Sequence, residues 1–136
     1  MNNKRWLLAS VAVFLVMFVF EFITHGILLQ GLYQQTASVW RSESEMQSMM
    51  WMMWAGYLIF APFFTLIYAK GYEPQKGGLE QGLRFGIYMA LAFAPMQTLG
   101  WYAVLPIPGI LAFYWLVASA VLSIVLGITA GLVYRK

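Results

Sequence analysis

Cysteine is absent from this 136-residue chain, which removes disulfides, thiolate metal sites and thiol nucleophiles together. Charge is nearly as scarce. Asp, Glu, Lys and Arg make up 10% of the residues against 62% hydrophobic, and mean hydropathy is +0.72. With one histidine in the chain, a haem held by two histidines of one monomer is excluded. No phosphate-binding loop, paired zinc motif or nucleophile elbow occurs. A soluble domain of this size has no means of hiding so much apolar surface, so composition names an integral membrane protein whose main partner is the lipid bilayer. The net charge of +3 and pI near 9.3 would suggest nucleic acid in a soluble chain. Here the basic residues stand at the ends of apolar runs, where they act as topology signals, and no nucleic-acid partner is implied.

What is present divides into apolar runs of membrane-spanning length, since a bilayer core of about 30 Å takes about 20 residues of helix. The expected fold is all-α, a polytopic four-transmembrane-helix bundle in a single domain over 1–136, with helices at about 6–32, 46–69, 80–104 and 110–134. Lys4 and Arg5 precede the first run as they would in a secretory signal, but no small-x-small cleavage site follows, so the run reads as an uncleaved anchor. Ser42 or Ser44 is placed to cap the second helix, with Glu43 and Glu45 favourable near its N-terminus. Trp51 and Trp54 at one end, and Tyr68, Lys70 and Tyr72 at the other, read as interface belts. Pro62 and Pro95 lie inside helices two and three, where a proline is expected to kink the helix and free a carbonyl. Glu80 and Arg84 are spaced for an i,i+4 pair. Lys4, Arg5, Lys70, Lys76, Arg84, Arg135 and Lys136 fall on one side and Arg41 on the other, which places both termini in the cytoplasm.

Two stripes of small residues follow, Gly82, Gly86, Ala90 and Ala94 on helix three and Ser119, Ser123, Gly127 and Gly131 on helix four. Steps of four put each stripe on one face, the pattern by which helices in lipid approach closely. Joined by the hairpin Leu105-Pro106-Ile107-Pro108-Gly109, these two helices are expected to pack on each other.

The chain is organised around Phe20-Glu21-Phe22-Ile23-Thr24-His25-Gly26. Glu21 and His25 fall at i and i+4, one turn apart on one helical face. An ionisable residue at membrane depth costs about 2.5–3.5 kcal/mol on insertion scales, so the pair must look toward protein or water. Counting 1.5 Å per residue sets Glu21 about 24 Å beyond Arg5 and Gln97 about 20 Å beyond Arg84, both in the outer half. Tyr57, Gln97 and Thr98, with Tyr114 and Ser119, reach the same layer, giving a polar and aromatic pocket that opens outward. Its candidate ligand-binding or proton-handling residues are Glu21, His25, Tyr57, Gln97 and Thr98. An interhelical hydrogen-bond network that only fixes the bundle is the competing reading. Met46, Met49, Met50 and Met53 share a face at the outer end of helix two. Soft thioethers there, with His25 near in depth, suit Cu(I), while adaptable packing explains methionines equally. No cofactor is identified by the sequence.

Several of these features occur together: the Glu21-to-Gly26 segment, Tyr33, Trp40, the Met-rich start of helix two, Gly56-Tyr57-Leu58, Tyr68-Ala69-Lys70-Gly71-Tyr72-Glu73, the Gly82-Leu83-Arg84-Phe85-Gly86 entry and the Leu-Pro-Ile-Pro hairpin. In this combination the chain resembles a family of small four-span bacterial inner-membrane proteins of unknown function. The resemblance implies a bacterial cytoplasmic membrane and carries no catalytic residues. The expected role is a binding or accessory subunit rather than an enzyme, within a homo-oligomer or a larger membrane complex. A small transporter or proton- or ion-handling protein is the alternative, and a metal- or haem-binding redox subunit a further one.

Overall fold

A computed structural model describes residues 1–135, and Lys136, counted above with the basic residues of one end, lies outside them. Among the described residues the chain is all-α. Helix α1 runs Asn3–Ile23, opened by Asn2, whose side chain accepts the Arg5 N–H. It does not continue to residue 32. A π-helical turn over Thr24–Leu28 interrupts it, followed by a short α2 at Gln30–Gln35 and a 3-10 turn at Ala37–Val39. Helix α3 covers Glu43–Lys70, three residues earlier than Met46, because Ser42 caps it and Glu45 reaches back to complete a capping box. Helices α4, Gly78–Val104, and α5, Gly109–Val133, complete the chain. The helical segments Asn3–Leu28, Glu43–Lys70 and Gly109–Val133 are long and apolar enough to cross a membrane. The 27-residue α4 is long enough but less apolar.

The tightest seam joins α4 to α5. Gly82 and Gly86 lie against Gly127, Ser123 and Ile124, and Gly78 extends the stripe to Gly131. A methyl group added at Gly86 would stand 2.7 Å from Ile124 Cα, inside the contact limit of real side chains. Backbones this close gain dispersion contacts that larger residues would prevent, which is what holds helices together in the absence of a water-driven force.

Helix α1 packs on α3 and α5. Ala9, Val13 and Met17 meet Phe64, Tyr68, Leu126 and Ala130 in one buried cluster. Two polar links run through it: Ser10 Oγ lies 2.7 Å from Thr65 Oγ1, and Trp6 Nε1 donates to the Pro62 carbonyl at 2.9 Å. Both prolines stay inside unbroken helices, α3 through Pro62 and α4 through Pro95. The start of α1 and the end of α5 also meet, the Asn2 N–H donating to Tyr134 Oη at 3.3 Å. This is the basic end of the bundle.

Two expectations change at that end. Tyr68 is not an interface residue: it is 3% exposed, packed edge-on against Tyr72, Phe85 and Tyr134. Arg84 binds Glu73 rather than Glu80. The reason is Gln81, which folds the preceding loop over the first turn of α4. Its side chain accepts the Glu73 N–H at 2.8 Å and donates to the carbonyls of Glu73 and Lys76 at 2.9 and 2.8 Å. Glu73 is thereby delivered to Arg84 and also to Lys76, at 2.7 Å.

Candidate functional site

At the far end from the basic cluster the helices diverge around a cavity of about 410 Å³. Its floor is apolar, with Met17, Phe60, Phe64, Met89, Leu122 and Leu126. Its upper wall carries Glu21, His25, Tyr57, Gln97, Thr98 and Ser119. All five residues singled out as ligand-binding or proton-handling therefore line one space. Thr98 is buried, Glu21, His25 and Tyr57 are half-buried, and Gln97 is exposed at the rim.

Glu21 and His25 are in contact, His25 Nε2 lying 3.2 Å from Glu21 Oε2. Tyr57 Oη donates to the same oxygen at 3.4 Å from α3. On its other side His25 Nδ1 lies 2.6 Å from Tyr33 Oη, and Trp115 Nε1 of α5 donates to that oxygen at 2.7 Å. The donor inventory fixes the direction of this chain. Trp115 Nε1 only donates to the Tyr33 oxygen, and an ionised Glu21 carboxylate only accepts, so a neutral His25 presents its N–H to Glu21 and accepts the Tyr33 O–H at Nδ1. Neutral His25 then carries its ring proton on Nε2, aimed at the Glu21 carboxylate. Protonated His25 donates at both nitrogens, with Tyr33 Oη accepting twice. Either state leaves the ring fully paired.

Tyr33 and Trp115 were not among the site residues read from the sequence. In an unbroken helix Tyr33 would stand about 12 Å along the axis from His25, out of reach. The π turn at Thr24–Leu28 and the bend at Leu29 interrupt the helix, and Tyr33 of α2 lies stacked on the ring at 5.9 Å between centroids. Single π turns of this kind recur at functional sites. Trp40 closes the cap edge-on to Tyr33 and donates to Thr36 Oγ1 at 2.9 Å. Burial pushes the Tyr33 phenol above its ordinary value, opposed by the Trp115 hydrogen bond and aided by the Glu21 charge, so it stays a donor at neutral pH.

The methionines lie elsewhere. Met46, Met50 and Met53 are exposed on the first turns of α3 and Met49 is half-buried, and none of the four lines the cavity that holds His25. Tyr114 faces a separate shallow groove with Thr24 and Gln35. Among the described residues no group of three His, Cys, Asp or Glu is placed to hold a metal ion. Comparison with family models, with curated proteins and with solved structures gives no match to this chain.

Proposed function

We propose that this protein is a four-span bundle of a bacterial cytoplasmic membrane, with α4 as the fourth span, both termini cytoplasmic and the cavity in the outer half. Its role is to bind a small amphipathic molecule, as a binding or accessory subunit and not as an enzyme. The length of α4, about 40 Å at 1.5 Å per residue, and its seam along α5 support the fourth crossing. The basic residues at one end support the orientation.

One observation carries the binding role. Both donors to Glu21 converge on Oε2, and Glu21 lines the cavity wall, so Oε1 is left for an occupant. A carboxylate oxygen that takes no hydrogen bond from the protein and belongs to a cavity-lining side chain is available to a polar group bound there. The cavity volume lies within the range of about 300–1,000 Å³ typical of small-molecule sites, apolar with a few convergent polar groups. Native mass spectrometry of the protein extracted in nanodiscs tests this. Wild type should carry a bound mass that Ser119→Leu, which fills the cavity, releases. Identical spectra for the two would refute the binding role.

A small transporter or proton-handling protein is the second reading. It is favoured by the unbroken path Tyr57–Glu21–His25–Tyr33, which links the cavity to a histidine side chain that is 39% exposed. Proton flux into liposomes that vanishes in His25→Phe would select it over simple binding.

A further inference from the structure

Which chemistry the cavity would accept follows from its charge and its rings, granted that it is a binding cavity as argued above. Among the described residues no lysine or arginine lines it, and Glu21 is the one acid that does. The imidazole beside Glu21 is engaged on both sides, by the carboxylate and by Tyr33, so it has no donor left for an anion. An anionic occupant would meet the Glu21 carboxylate with no lysine or arginine of the lining to offset it, and a purely apolar one would strip water from Glu21 Oε1 without replacing it. A hard metal ion would find one charged ligand, the other oxygens of the lining being the neutral groups of Tyr57, Gln97, Thr98, Ser119 and Ser123. A neutral donor would satisfy Oε1 without using its charge, whereas a cation large and apolar enough to lie against rings uses both the carboxylate and the aromatic lining. Tyr57, Phe60, Phe93, Trp101 and Trp115 surround the space next to Glu21, and aromatic faces attract ammonium groups most strongly where water is excluded.

We infer that the cavity binds an organic cation, an ammonium with an apolar body, its charge at Glu21 Oε1 and its body among Phe60, Phe93 and Trp101. Entry is between α3 and α4. These helices meet near the basic end through Phe64, Tyr68 and Phe85 but share no continuous seam of the kind that joins α4 to α5. Tyr57, Phe60, Phe93 and Gln97 stand at that gap, from α3 and α4 respectively.

Phenyltrimethylammonium and tert-butylbenzene have nearly the same shape and differ in charge, which makes them the probes. With the full chain in nanodiscs, saturable quenching of tryptophan fluorescence should report binding of the ammonium at least about tenfold tighter than the neutral probe, a difference of about 1.4 kcal/mol. Glu21→Gln keeps an oxygen acceptor for His25 and Tyr57 and should erase that preference. Trp101→Leu, at a residue 51% exposed, should weaken the ammonium alone. Equal or tighter binding of tert-butylbenzene would overturn the cation assignment and leave the binding cavity standing. An ammonium affinity unchanged in Glu21→Gln would overturn it too. Saturation by neither probe would overturn both the assignment and the cavity's binding role.

Discussion

Trp115 Nε1 donates to Tyr33 Oη at 2.7 Å, joining residues 82 positions apart. This bond ties α5 to the short α2 and so holds the cap over His25. Tyr33→Phe leaves a half-buried indole N–H without its acceptor, and an unsatisfied donor of this kind costs about 1–3 kcal/mol. The same change releases His25 Nδ1. Thermal unfolding in detergent should therefore shift down for Tyr33→Phe and for Trp115→Phe, and the double variant should lose less than the sum of the two. Additive losses would show that the bond is not what couples these residues.

The α4–α5 seam makes a sharp distinction between glycines. A Cβ at Gly86 would meet Ile124 Cα at 2.7 Å, and one at Gly127 would meet Gly86 Cα at 2.6 Å. Nothing lies within 4 Å of the corresponding position at Gly56 or Gly100. Gly86→Ala and Gly127→Ala should each destabilise by about 1–3 kcal/mol, because the helices must separate. Gly56→Ala and Gly100→Ala should be neutral or stabilising by up to about 1 kcal/mol through helix propensity. Indistinguishable melting temperatures for the four variants would contradict the close seam.

Glu73 gives the protein an acid-sensitive clasp. Hydrogen bonds from Lys76, and then from Arg84, hold its carboxyl below the usual carboxylate range. Since the folded value lies below the unfolded one, the clasp contributes fully above the ordinary value of 4.5 and is lost as pH falls through the folded value. Melting temperature should drop on acidification below about pH 4.5 more steeply in wild type than in Glu73→Gln. The difference should shrink in high salt, because the carboxylate is exposed and screened.

Native cysteine is absent, so single cysteines report topology cleanly. With both termini cytoplasmic, cysteine placed at Ser38 should react with an impermeant thiol reagent added outside intact cells, and cysteine placed at Gln75 should not. The opposite labelling would invert the orientation and put the cavity in the inner half.

Much of the bundle was legible because membrane helices declare themselves locally. Apolar runs gave α1, α3 and α5 and the small-residue stripes gave the α4–α5 seam, while the start of α3 was expected at Met46 and lies at Glu43, after Ser42, one of the two expected caps. Glu21 and His25 were legible for the same reason, as an i,i+4 pair is a contact within one helix. Tyr57, Gln97 and Thr98 were reached by counting depth, since 1.5 Å per residue places side chains of different helices in one layer.

Contacts that depend on departures from regular geometry were hidden. Glu80 and Arg84 have ideal spacing, yet Arg84 turns to Glu73 because Gln81 pins a loop whose path no periodicity encodes. Tyr68 carries the composition of an interface residue and is buried because three other rings converge on it.

The amino-acid sequence by itself determined that this is a membrane-class helical chain with one ionisable pair in its apolar span, because helix periodicity and hydropathy are properties of neighbours along the chain. Only the tertiary structure decided what that pair faces. Beyond the π turn after Ile23, Tyr33 meets His25, Trp115 arrives from α5 to donate to the Tyr33 oxygen, and Tyr57 shares Oε2 with His25. The free carboxylate oxygen and the ring-lined cavity beside it are consequences of how four helices diverge, which no single stretch of sequence carries.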